Sequence, residues 1–156
     1  MKPKKQEETR WFFMKIAIDF DGTIVEHEYP KIGEPKLFAF DTLKLLQEAG
    51  HQLILWTFRH GKELEEAINF CKENGIEFYA VNSNYPNEKI DGTFSRKLNA
   101  DIFIDDRNLG GFPGWNVVWE LLKPGSIHNP LDEEQVWGNW IQEKNLKRKK
   151  KFLGLF

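Results

Sequence analysis

The sequence predicts an α/β protein built on a mainly parallel, doubly wound sheet, a three-layer arrangement with helices on both faces. Three observations predict it. Short apolar runs at 16–18, 53–56, 76–81 and 100–104 have the length and residue types of buried parallel strands. Amphipathic stretches with helical spacing lie between them, and Gly or Pro clusters punctuate the joins. Strands that alternate with helices call for right-handed crossovers, which wrap helices over both faces of a parallel sheet.

Each element has its own warrant. Residues 1–13 read as an extension, polar over the first ten, and Met14 opens the first strand. That strand ends in Asp19, Phe20, Asp21, Gly22 and Thr23. The stretch 25–35 carries His27, Tyr29, Pro30, Lys31, Gly33 and Pro35, an irregular loop or small hairpin over the strand end. Leu37, Phe40, Leu43, Leu46 and Ala49 predict a helix over 37–49, with Gly50 as its stop. A second strand, 53–57, ends in the hydroxyl of Thr57; a second helix, 63–74, turns Leu64, Ala67, Ile68 and Cys71 inward and stops at Gly75. The third strand is 76–81 and the loop 82–92 is rich in Asn, Pro and Asp. A short helix is expected over 94–98, then a fourth strand, 100–104, running into Asp105 and Asp106. The pattern at 115–122 fits a helix or a last strand equally. Asp132 can cap a helix over 133–146 with Val136, Trp137, Trp140 and Ile141 on one face. The basic run 147–151 and apolar end 152–156 read as a solvated tail, with an anionic membrane, nucleic acid or self-association as its functional alternatives.

Composition narrows the classes. At 156 residues the chain fits one domain with a real core, and 22 Lys+Arg against 24 Asp+Glu give no nucleic-acid signature. The single cysteine, Cys71, reads as core and allows no internal disulfide, which fits a reducing cytoplasm. No apolar run approaches the roughly 20 residues of a membrane span, and the amino-terminal pattern is not that of a signal peptide. Neither a histidine triplet nor a Cys-x-x-Cys pair supports zinc.

Ligands of open α/β sheets gather at the carboxyl ends of the strands, where Asp19, Asp21, Thr57, Asp105 and Asp106 converge. Paired carboxylates there carry an electrostatic cost that a hard divalent cation offsets. With a hydroxyl and a cation such as Lys97 they suit phosphoryl transfer.

Asp19-Phe20-Asp21-Gly22-Thr23, Thr57, Lys97 and Asp105-Asp106, in that order over 14–122, resemble the four motifs of the haloacid dehalogenase superfamily, in its phosphatase branch. A response-regulator receiver uses similar groups but places its adjacent acidic pair first, against the order here. The resemblance implies a Rossmann-like catalytic domain over 14–122, with 1–13 as extension and 123–156 as linker, helix and tail. It implies a Mg²⁺-dependent phosphomonoester hydrolase in which Asp19 is the nucleophile and Asp21 the general acid and base. Thr57 and Lys97 would hold the phosphoryl oxygens, with Arg96 and Lys89 as alternatives to Lys97. Mg²⁺ would be held by Asp19, the Asp21 carbonyl and Asp105, with Asp106 supporting from behind. The stretches 24–36 and 82–92 are too short for a folded cap, so the site should be open, walled by small loops or by a second copy of the chain. His27, Arg59 and His60 are candidate contacts to a phosphorylated substrate, with Tyr29, Asn84 and Arg107 as further lining. The rival functions are a 3′-phosphatase on nucleic-acid ends and a catalytically weak phosphate- or metal-binding regulator.

Overall fold

The computed structural model describes residues 13–89, 91–93 and 95–126. Four parallel strands, β1 (Lys15–Ile18), β2 (Gln52–Leu55), β3 (Ala80–Val81) and β4 (Ile102–Ile104), form one sheet in the order β3-β2-β1-β4. Three helices accompany them: α1 (Ala39–Glu48), α2 (Gly61–Glu73) and α3 (Trp115–Leu122). The parallel α/β expectation holds, and 115–122 resolves as a helix. The expected helix 133–146, the tail and nearly all of the extension 1–13 lie outside the described residues.

Side chains alternate across the central strands, as the period of two requires. Ile16, Ile18, Leu53, Leu55 and Ile104 share one core with Leu43 and Leu46 of α1, Ala67 and Cys71 of α2, and Trp115 and Val118 of α3. Ala17 and Ile54 point the other way, into a smaller cluster closed by Ala80 and Leu98. Among the described residues all three helices therefore join the larger core, and helices on both faces are not seen. The physical reason lies in the connection from β3 to β4. Its Asn-, Pro- and Gly-rich residues form bends, and the helix expected over 94–98 is absent among its described residues.

Two further expectations shift. Leu37 is exposed and precedes α1 instead of packing within it. The third strand shrinks to two residues because Ile76 is spent turning out of α2, its N–H donating to the Cys71 carbonyl at 2.9 Å. The loop after β1 is a small hairpin: the Glu26 N–H donates to the Glu34 carbonyl and the Lys36 N–H to the Ile24 carbonyl. Cys71 is buried, and burial pushes its thiol up to about 12, so it packs and does not react. No helix among the described residues is long and apolar enough to cross a membrane.

Candidate functional site

The pairing of β1 with β4 builds the floor of the site. Ile18 stands opposite Ile104, and the Asp19 N–H donates to the Ile104 carbonyl at 2.9 Å, so the residues that leave both strands emerge side by side. Asp19, Asp105 and Asp106 each bring a carboxylate oxygen to within 4.8 Å of the others. Thr23, fully buried, ties the two segments together. Its hydroxyl donates to Asp19 Oδ2 at 3.2 Å and accepts from the Asp106 N–H at 3.0 Å. The Thr23 carbonyl in turn accepts from Trp115 Nε1 at 2.8 Å, which anchors the motif to α3. Gly22 sits at φ +90, and a Cβ there would lie 2.3 Å from Asp106 Oδ2. No other residue type lets this loop approach the second acidic strand end.

Crowding shapes the electrostatics. Burial pushes the Asp19 carboxyl up from 3.8 to about 7; the Phe20 backbone N–H opposes this, and the charges of Asp105 and Asp106 add to it. Asp106 Oδ1 is buried without a hydrogen-bond partner among the described residues. An acidic trio of oxygen donors with one orphaned buried acceptor fits a hard divalent cation, which would satisfy that oxygen and favour the ionised carboxylates. Asp106, expected in a supporting role, belongs to the same carboxylate group as Asp19 and Asp105.

Asp21 faces a different partner. Arg59 Nε and Nη2 donate to its two carboxylate oxygens, each at 2.7 Å, a fork-to-fork ion pair with the Arg59 side chain 1% exposed. The same guanidinium donates to the Pro30 carbonyl at 3.0 Å and the Lys31 carbonyl at 2.6 Å. It lies between the rings of Phe20 and Tyr29, 4.9 and 5.3 Å from their centroids. Arg59 was expected to reach for substrate. Its donors are instead committed to Asp21 and to the loop after β1, so it positions both.

Thr57 follows β2 and is clamped by Asn82, whose Oδ1 accepts from the Thr57 N–H at 2.8 Å and whose Nδ2 donates to the Thr57 carbonyl at 2.9 Å. Asp19, Asp21, Thr57 and Asp105 line one open cleft of about 430 Å³. Its walls are Trp56, Phe58, Tyr29, His27 and Arg107. Among the described residues the Arg107 guanidinium has one polar contact, His27 Nε2 at 3.5 Å, and no carboxylate partner.

Several expected contacts are not brought here. Lys97 is exposed on the β3–β4 connection and does not line the cleft. Lys89 and Arg96 line a separate small pocket with Asn84, whose side chain donates to Glu88 and accepts from the Asn99 N–H. His60 is exposed at the start of α2, outside the cleft. Arg107, and not Lys97, lines the cleft alongside the acidic residues.

Comparison with solved structures finds a conserved protein of Bacteroides thetaiotaomicron at 59% identity, spanning 72% of this chain and 91% of that one, with a TM-score of 0.68. No family model and no curated protein matches.

Proposed function

We propose, for a chain that belongs to the same family as this conserved Bacteroides thetaiotaomicron protein, that the cleft is the active site of a Mg²⁺-dependent phosphomonoester hydrolase of the haloacid dehalogenase type. The observation that carries the reading is Asp19: a carboxylate at the end of the central strand, grouped with Asp105 and Asp106 and open to a cleft that Asp21, Thr57 and Arg107 also line. Mg²⁺ held by the three carboxylates would neutralise them and the phosphoryl oxygens.

The chain's own groups divide the remaining work. An Asp19 oxygen attacks phosphorus, the bond from phosphorus to the leaving-group oxygen breaks, and an acyl phosphate forms on Asp19. Thr57 and Arg107 steady the phosphoryl oxygens. Water then attacks phosphorus, Asp21 accepts its proton, and Asp19 is released with inorganic phosphate. Both Asp21 oxygens accept hydrogen bonds from Arg59. Asp21 carries one proton through the cycle, giving it to the leaving oxygen in the first half and taking it from water in the second, and Arg59 fixes where that carboxyl stands. That clamp also favours a second reading, a protein that binds phosphate and metal with little turnover.

Hydrolysis of p-nitrophenyl phosphate with Mg²⁺ tests both readings, with the native chain set against Asp19→Asn. Turnover that disappears in the variant and in EDTA, and returns with Mg²⁺, supports the hydrolase. Native-like rates in Asp19→Asn, or indifference to EDTA, overturn it. Binding of Mg²⁺ and phosphate without turnover favours the second reading.

A further inference from the structure

We infer that the cleft takes a phosphomonoester whose leaving group ends in a planar aromatic ring, of the class of a nucleoside 5′-monophosphate, and that Phe58 is the ring it stacks on. The inference rests on the same cleft binding a phosphoryl group.

Phe58 is 90% exposed, yet its backbone is anchored on both sides. Thr57 before it is held by Asn82, and Arg59 after it is buried in its ion pair. A single exposed apolar residue is ordinary on a protein surface. Here the exposed ring lines the cleft of the acidic trio, in the company of Trp56 and Tyr29, itself 42% exposed. Aromatic walls with a few convergent polar groups, around a cavity of about 430 Å³, match a small-molecule site.

Exposure also sorts the cleft by depth. Asp19 is half-buried at the floor, whereas Phe58 and Tyr29 stand at the exposed mouth. A ligand with its phosphate on the floor extends outward toward these exposed rings, as a nucleotide's base extends beyond its sugar. Arg107, which has no carboxylate partner among the described residues, meets the phosphate while the ring packs on Phe58. Tyr29 contributes less freely, because its ring already packs against Arg59.

The test compares a nucleoside 5′-monophosphate with ribose 5-phosphate, which has the same phosphate and sugar but no base. Specificity is read as the ratio of their kcat/KM values in the native chain, Phe58→Ala and Phe58→Trp, so a general loss of activity cancels. Stacking on one aromatic side chain predicts a native ratio of about 5 to 150 in favour of the nucleotide. The ratio should fall toward one in Phe58→Ala and recover in Phe58→Trp. Phe58 is 90% exposed, so neither change opens a cavity in the core. A native ratio near one, or a ratio untouched in Phe58→Ala, overturns the inference. If neither compound is hydrolysed, the same pair is titrated by tryptophan fluorescence. A nucleotide preference that Phe58→Ala removes then upholds the inference while the hydrolase reading falls. Equal binding of both, or no binding, overturns the inference as well.

Discussion

Replacing Arg59 by Met removes a buried guanidinium that reaches four oxygens: both of Asp21 and the carbonyls of Pro30 and Lys31. The Asp21 side chain is 13% exposed, so the carboxylate left behind has little water to turn to. Breaking a buried pair from one side costs roughly 3–5 kcal/mol, because the surviving charge stays buried without its partner. A solvent-exposed pair would cost roughly 0–1 kcal/mol, so the two cases are easily distinguished. Urea unfolding should show a lower midpoint with an unchanged slope if only the native state is affected. Arg59→Lys keeps the charge but cannot fork, and should recover only part of the loss. Adding Asp21→Ala to Arg59→Met should cost less than the two single changes summed, with a coupling in the range of about 0.5–3 kcal/mol. A destabilisation below about 1 kcal/mol in Arg59→Met, with additive behaviour in the double variant, would refute the view that this pair holds the cleft together.

Two further predictions concern charge. The Asp19 carboxyl is pushed from 3.8 to about 7, so between those values the folded state keeps a proton that the unfolded state releases. Metal-free stability should therefore fall as pH rises through that window, and the fall should be smaller in Asp19→Asn; melts at about pH 4 and about pH 8 check it, and identical pH dependence in the two proteins contradicts it. Arg107→Ala should lower kcat/KM for a phosphomonoester at least about tenfold, the scale of one charge-assisted hydrogen bond, while Lys97→Ala should change it less. The opposite ranking would return the phosphate-binding role to Lys97.

What could be read in the sequence was whatever is local along the chain. Asp19, Asp21, Thr57, Asp105 and Asp106 each stand just beyond an apolar run, and parallel pairing brings such positions to one edge whatever the intervening connections do. Helices α1 and α2 could be read for the same reason, since their apolar spacing and terminal glycines are local signals. The β3–β4 connection carries no such period, which is why its expected helix is not found among the described residues and Lys97 stands outside the cleft. Arg59 could be read only as a polar residue after Thr57. Its partner Asp21 is 38 positions away, and the Pro30 and Lys31 carbonyls reach it only because an irregular hairpin folds back over the strand end. Its spacing from Thr57 also suits a substrate-binding arginine, and only burial separates the two roles. With Arg59 occupied, Arg107 is the arginine of the cleft left, among the described residues, for the phosphate contact proposed above.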